Sequence, residues 1–355
     1  MRKIITAVIA CVLLMTTVAQ AAQKKAAQTL TVSQAAKAAI SVSSALRTNE
    51  DNIVLLDEAA DKIKDNLRLS QDHATNLNLA VQLMQNTLNK GYYSGNETMQ
   101  KDRIMFTITQ VFAQIINAES DLRMYDENMA LTKKSLDISK LKLELGMISQ
   151  SEYDKTLSEY EKMSANREAK VIAIDKAYIS LNSAMGTSLD KKYLLELDLK
   201  YEPLGDVYLT QAIQNTLDNS LDLQKKYDDL AVAEYQLASY YEHVSSQSEE
   251  ELEIRVQQAG RAVNDTKTQI EQSVTTLYND LKNAEASLAA SRLDLENMKS
   301  QLALRETQLA VGKLTQLDVD TYKYQIAVLE ETIRISERAH ALNIMKFKTP
   351  NLATM

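Results

Sequence analysis

One pattern constrains this chain more than any other. Ile115, Leu122, Met129, Leu136 and Leu143 recur every seven residues, and so do Leu281, Leu288, Leu295, Leu302 and Leu309. Each member of the second ladder lies 166 positions after its counterpart, and the same offset relates Phe112 to Tyr278, Ala118 to Ala284 and Gly146 to Gly312. In the second ladder, Leu277, Ala284, Ser291, Met298 and Arg305 fill the other half of the heptad. Such 3-4 spacing places one stripe on one face of an α-helix, where a second helix can cover it. A strict seven-residue period falls slightly short of two full turns, so the paired helices supercoil to the left. Ser291 and Arg305 make part of the second seam polar.

A ladder this long needs an uninterrupted helix, and the composition provides for one. The chain has 355 residues with only 7 Gly and 2 Pro, and Trp is absent. A compact domain of α/β or β type spends several times more Gly and Pro on its turns. Leu252 to Val311 therefore reads as one helix roughly 90 Å long at 1.5 Å per residue.

Each ladder ends in the same kind of break. The first reads Leu145-Gly146-Met147-Ile148-Ser149-Gln150-Ser151-Glu152, and the second Val311-Gly312-Lys313-Leu314-Thr315-Gln316-Leu317-Asp318. Glycine adopts the left-handed conformation that ends a helix at little cost. Ser149 and Thr315 can cap the following helix, with Glu152 and Asp318 at the capping-box position three residues on. Return helices follow, with apolar positions at Tyr153, Leu157 and Tyr160 in the first copy and Tyr322, Ile326, Leu329 and Ile333 in the second. Each copy is thus a long antiparallel helical hairpin.

The copies also open alike. Thr31-Val32-Ser33-Gln34-Ala35 matches Tyr208-Leu209-Thr210-Gln211-Ala212 at an offset of 177, so the first copy is 11 residues longer between opening and ladder. The far-end break of copy two reads as His243 to Ser248. In copy one it falls either at Ser70–Asn76 or at Gly91–Gly95. Residues 194–207 form a linker with room for one short strand, because Leu195, Leu197 and Leu199 alternate before Pro203 and Gly205. The expected fold class is all-α, two tandem coiled-coil hairpin repeats at 22–193 and 208–355, with little or no β-structure.

Residues 1–21 have the form of an export signal. A basic start at Arg2 and Lys3 leads into an apolar run from Ile4 to Val18 and an Ala19-Gln20-Ala21 cleavage site. The run is too short and wrongly flanked to span a membrane. A lipoprotein-like box, Val8-Ile9-Ala10-Cys11, sits too early in the run to govern it. Cys11 is the only cysteine, so removal of the signal leaves no thiol for a disulfide, a nucleophile or a metal. Net charge is −8, and −10 without Arg2 and Lys3, which argues against nucleic acid as a partner.

No catalytic, cofactor or metal constellation emerges. His73, His243 and His340 are far apart and have no ligand-like neighbour at i+3 or i+4. His340 falls where a seam residue is expected. Glu249-Glu250-Glu251 with Glu253 suits a solvated helix start. No phosphate loop or nucleophile elbow is present. The chain does not read as an enzyme.

The order of these parts resembles the TolC-type outer-membrane efflux proteins. Repeats of that family open with an L-T-x-x-x-A-like helix start, here Leu30-Thr31-Val32-Ser33-Gln34-Ala35. They turn at a tip of the form G-x-x-[ST]-x-x-D-[VL], which Gly312 to Val319 fits fully. Gly146 to Tyr153 fits except that Glu152-Tyr153 replaces the acidic-aliphatic pair. The ending Leu181-Asn182-Ser183-Ala184-Met185-Gly186 is also similar to the family's.

The resemblance implies an exported chain of the cell envelope, a homotrimer whose three chains build a twelve-helix α-barrel. It implies that the tips meet a periplasmic adaptor serving an inner-membrane pump. Gly146, Ser149, Gln150, Glu152, Gly312, Thr315, Gln316, Asp318 and Val319 become candidate adaptor contacts. No cofactor is implied. The family also places paired β-strands at the far end of each hairpin, for membrane association. Neither Ser70–Gly95 nor Tyr240–Ile254 has the alternation such strands need. An extracytoplasmic coiled-coil scaffold without a pore is therefore the alternative expectation.

Overall fold

A computed structural model describes residues 28–241 and 247–354. The export signal and most of the second far-end break, including His243, lie outside the described residues. In chain order the elements are β1 (Gln28–Thr31), α1 (Val32–Val42), α2 (Ser44–Leu69), α3 (His73–Glu144), α4 (Gln150–Ala184), β2 (Tyr193–Glu196), α5 (Leu209–Asn219), α6 (Leu221–Ala238), α7 (Glu249–Ala310), α8 (Gln316–Lys348) and α9 (Pro350–Ala353). Helix α3 has 72 residues and α7 has 62, so the molecule is built on two rods about 110 and 90 Å long.

The duplication fixes the element boundaries. At the 177 offset α5 repeats α1, and at the 166 offset the end of α7 and the start of α8 repeat the end of α3 and the start of α4. Ser43 and Ser220, equivalent residues, cap α2 and α6 by accepting from the backbone N–H three residues on, at 3.3 and 3.2 Å. The extra length of copy one lies at the far end, where α2 has 26 residues against 18 in α6 and α3 exceeds α7.

The far-end break of copy one lies at residues 70–72. Gly91 and Gly95, the other candidates, sit inside α3. Gly95 is there for packing. A Cβ at this position would meet Leu221 Cδ1 at 2.8 Å, so the missing side chain lets the start of α6 approach α3.

Each rod is flanked along its length by two shorter helices of its own copy. Helix α3 packs on α2 toward the far end and on α4 toward the tip, as α7 packs on α6 and α8. The copies meet where α3 touches both α6 and α8. Four helices therefore stand abreast in a single layer, in the order α4, α3, α8, α7 toward the tips and α2, α3, α6, α7 toward the far end.

A single layer cannot bury helix surface on both faces, and the burial along the ladders shows it. Ile115, Leu136, Leu281 and Leu288 are buried, whereas Leu122, Met129, Leu143, Leu295, Leu302 and Leu309 are half-buried. The dense cores lie mid-rod, where the short helices add cover. Ile108, Phe112, Ile115 and Leu181 gather there beneath Ala35, Ala36 and Ala39 of α1. Their equivalents Val274, Leu281 and Phe347 form the core of copy two. Where copy one uses Phe112 with Leu181, copy two uses Tyr278 with Phe347, whose rings meet at 6.3 Å.

The mid-rod region also carries the β-structure. β1 and β2 pair in parallel, with Gln28 opposite Tyr193 and Thr31 opposite Glu196. The strand covers Tyr193–Glu196 at the start of the linker, not the Leu195–Leu199 alternation, and its partner is Gln28–Thr31, so Leu30 and Thr31, expected at a helix start, are extended. The Tyr178 hydroxyl donates to Glu119 at 2.8 Å and lies 3.1 Å from the Tyr193 carbonyl. Burial and the neighbouring carboxylate push its pKa well up. Fully buried Asn182 donates to the Leu189 and Lys191 carbonyls and fixes the turn that leads into β2.

Candidate functional site: the hairpin tips

Both tips are built by the same backbone geometry. Helix α3 ends with Gly146 at φ +69°, and α7 with Gly312 at φ +72°. After each glycine one backbone N–H reaches back around the turn. Met147 donates to the Lys142 carbonyl and Lys313 to the Gln308 carbonyl, both at 2.8 Å. Each glycine N–H bonds the carbonyl three residues earlier, completing the double closure of a left-handed cap.

The return helices then start on reciprocal capping boxes. Ser149 Oγ accepts from the Glu152 N–H at 3.2 Å while Glu152 accepts from the Ser149 N–H at 2.8 Å. Thr315 and Asp318 repeat both bonds at 3.2 and 2.8 Å. The aspartate, one carbon shorter than glutamate, still reaches. Backbone and hydroxyl donors from Ser149 hold the Glu152 carboxyl below its ordinary range. The Thr315 hydroxyl and N–H do the same for Asp318. Gln150 donates to Asp154 and Gln316 to Asp320, at 2.7 and 2.8 Å, so the next residue is also engaged within its own turn.

The predicted tip residues therefore divide. Glu152 and Asp318 are taken up by caps, and Val319 is fully buried at the foot of its tip. Gly146, Ser149, Gln150, Gly312, Thr315 and Gln316 face solvent. Sequence reasoning passed over the apolar residues beside each glycine. Met147 is 67% exposed and Val311 64%, and Leu145 projects as well. Their signal was available: they are apolar residues next to a helix-ending glycine, off the heptad stripe.

Ties between the copies were also missed. Lys134 on α3 reaches Asp320 in the first turns of α8 at 2.8 Å, bracing the second tip against the first hairpin. Further up the same interface, buried Glu331 of α8 accepts from Arg334 Nε and Arg338 Nη2, both at 2.8 Å, and faces Arg123 of α3 at 3.7 Å. Arg338 Nε donates to Asn117 Oδ1 on α3 at 2.7 Å. Among the described residues no group of three or more His, Cys, Asp or Glu side chains is placed to hold a metal ion.

No protein-family profile matches the sequence, and no curated protein does. Solved structures do match the fold. The outer-membrane protein VceC of Vibrio cholerae aligns over 88% of this chain and 95% of its own, with a TM-score of 0.64 at 11% identity. The outer-membrane channel OprN gives a TM-score of 0.64 at 10% identity, over 91% of this chain and 90% of its own. The CmeC outer-membrane channel of Campylobacter jejuni gives 0.61 at 9% identity, over 91% and 85%. The all-α fold of two long hairpin repeats is the fold found, and among the described residues the far-end strands are not part of it.

Proposed function

We propose that this chain is one protomer of a trimeric, TolC-like export conduit of the cell envelope, its tips docking on a periplasmic adaptor that serves a pump. The observation that carries the reading is the four-helix layer with both lateral edges open. Among the described residues such a layer closes on nothing. Three layers side by side give the twelve helices that the resemblance calls for. Apolar side chains on both outer helices stay exposed, Ile172 of α4 at 46% and Leu293 of α7 at 62%. An α4 edge against the α7 edge of the next copy would remove this surface from water. Finished caps at both tips, with Met147 and Val311 outward, suit contact with a protein at that end.

Light scattering on the purified chain, with and without detergent, tests the assembly. The expected mass is three chains. Ile172→Asp combined with Leu293→Asp should reduce it to one chain with helix content unchanged, because both residues are exposed in the single chain. A wild-type mass of one chain at every concentration refutes the conduit.

A second reading, an extracytoplasmic coiled-coil scaffold, is favoured by the far end. Among the described residues no strand lies there, and the helix starts are finished. Asp72 accepts from the Thr75 N–H at 2.8 Å to cap α3, and Ser248 forms a capping box with Glu251 to start α7. His73 and Tyr241 join the two far ends edge to face at 5.4 Å. No described helix is long and apolar enough to cross a membrane, which leaves a barrel built by strands untouched. Solute export lost on deletion and restored by the chain would decide for the conduit.

A further inference from the structure

Mid-rod in copy two, the linker that joins the copies lies across α7 and α8. It is held there by a small polar cluster around a buried histidine. His340 of α8 is 1% exposed, and neither ring nitrogen has a hydrogen-bond partner among the described residues. Its Nε2 lies 3.4 Å from Glu285 Oε1 of α7, without hydrogen-bond alignment. That same oxygen accepts from the Leu204 N–H of the linker at 2.5 Å. The other face of the imidazole packs on Tyr201 of the linker, ring centroids 4.9 Å apart.

The charged groups around this site are accounted for on every side. From α7, Lys282 contacts Glu285 at 3.3 Å and the Gly205 carbonyl at 3.4 Å. Arg292, also of α7, lies over the Tyr201 ring at 4.9 Å and pairs with Glu337 of α8 at 2.6 Å. From the linker and the end of α8, Glu202 and Lys348 approach to 3.9 Å at the exposed rim.

We propose that His340 is an acid-sensitive catch that holds the inter-copy linker, residues 197–207, against the second hairpin and releases it when protonated. A neutral imidazole fills the gap between Glu285 and Tyr201 as a largely apolar ring. A protonated one carries two N–H donors. One can turn to Glu285 Oε1, competing with the Leu204 N–H that pins the linker. The other has no acceptor, and a buried cationic donor left unpaired is costly. Tyr201 cannot absorb the charge, since its ring already carries the Arg292 guanidinium, and Lys282 stands on the far side of the same carboxylate. Water relieves the site most readily on the linker side, because the linker is the one wall that is not helix.

The direction of the pH dependence follows. Burial pushes the His340 pKa below its ordinary value of 6.5, more than the Glu285 charge raises it. Once the linker has lifted, the imidazole is solvated and takes its proton near 6.5. The closed form is therefore fully favoured above that pH and loses ground as pH falls below it, until the closed-state pKa is reached. At pH 5.5 the closed-to-open ratio falls by up to about tenfold relative to pH 7.5.

Hydrogen exchange read by mass spectrometry, corrected for the intrinsic pH dependence of exchange, tests this on the full chain. Protection of the Leu204–Asp206 amides should fall, by up to about tenfold, between pH 7.5 and 5.5 in the wild type. In His340→Leu it should be the same at both values. An equal loss in His340→Leu, or no loss in the wild type, overturns the catch. Should that variant fail to fold, NMR of the wild-type histidines decides: the chain has only three, so each can be followed. His340 titrating below 6.5, together with the linker's shifts, supports the proposal, and titration near 6.5 without linker movement overturns it.

Discussion

Replacing Glu331 by Gln keeps the shape of the side chain and removes one charge from the junction between the two copies. The carboxylate is 5% exposed and lies against three guanidinium groups, so the question is how many of them lose a partner they cannot replace. Arg123 and Arg334 have side chains 61% and 50% exposed, so water can take up their donors. Pairs of that kind contribute at most about 1 kcal/mol each. Arg338 is different, with its side chain 17% exposed and its other edge committed to Asn117. Breaking a buried pair by removing one partner costs about 3–5 kcal/mol. Gln retains one acceptor oxygen that can face Arg338, which recovers part of this. The expected cost of Glu331→Gln is about 2–3 kcal/mol at pH 7, rising toward about 4 kcal/mol for Glu331→Met, which keeps no acceptor.

Urea unfolding followed by circular dichroism at fixed chain concentration measures both. The pH dependence is a second check. Burial pushes the Glu331 pKa up, but Ser120, Arg334 and Arg338 outweigh it and hold the group below its ordinary 4.5. Its stabilising contribution is therefore present above about 4.5 and is lost as pH falls through the lowered folded-state value. The gap between wild type and Glu331→Gln should shrink from pH 7 to pH 3. A variant as stable as wild type within about 0.5 kcal/mol at pH 7, or a gap that persists undiminished in acid, refutes the reasoning.

Four further outcomes rest on the same packing and are read by the same unfolding assay. Leu281→Ala should cost about 2–5 kcal/mol because Leu281 is fully buried, whereas Leu304→Ala, at a position 60% exposed, should stay within about 0.5 kcal/mol, and equal effects would mean the layer is packed otherwise. Gly91→Ala should stabilise by about 0.5–1 kcal/mol, since nothing lies within 4 Å of the added methyl and the site is helix interior. Gly186→Ala should instead cost about 1–2 kcal/mol, because φ is +64° and the methyl would meet Val42 Cγ1 at 3.0 Å. Thr315→Ala should cost about 1 kcal/mol by removing the cap of α8 while Thr315→Ser stays close to wild type, and a Ser variant as weak as Ala would show that the hydroxyl is not what caps the helix.

What the sequence determined by itself is what a helix decides locally. The period of Ile115 to Leu143 and of Leu281 to Leu309 set two long rods. Gly146 and Gly312, each followed by a capping residue and an acid, set where the rods turn. The chemistry of those turns involves residues within six positions of one another, so it is written in the local order of the chain. Even His340 could be placed in a seam, since only its register was needed.

Tertiary structure decided everything that depends on which helix stands beside which. Leu281 and Leu295 occupy equivalent heptad positions, yet one is buried and the other half-buried, because the mid-rod helices cover only the first. Gly91 and Gly95 read as a candidate break and lie inside α3, where the missing side chain of Gly95 leaves room for Leu221 of the other copy. β1 pairs with β2 across the whole first hairpin, and no local signal in Gln28–Thr31 announces a partner that distant. Lys134 with Asp320, Glu331 with its arginines, and Glu285 with the Leu204 N–H all join the two copies or their linker. A heptad pattern states that a helix has an apolar face. Which surface covers that face, and which charges meet at its margins, is settled by the order α4, α3, α8, α7 in the layer, and that order exists only once the copies have packed.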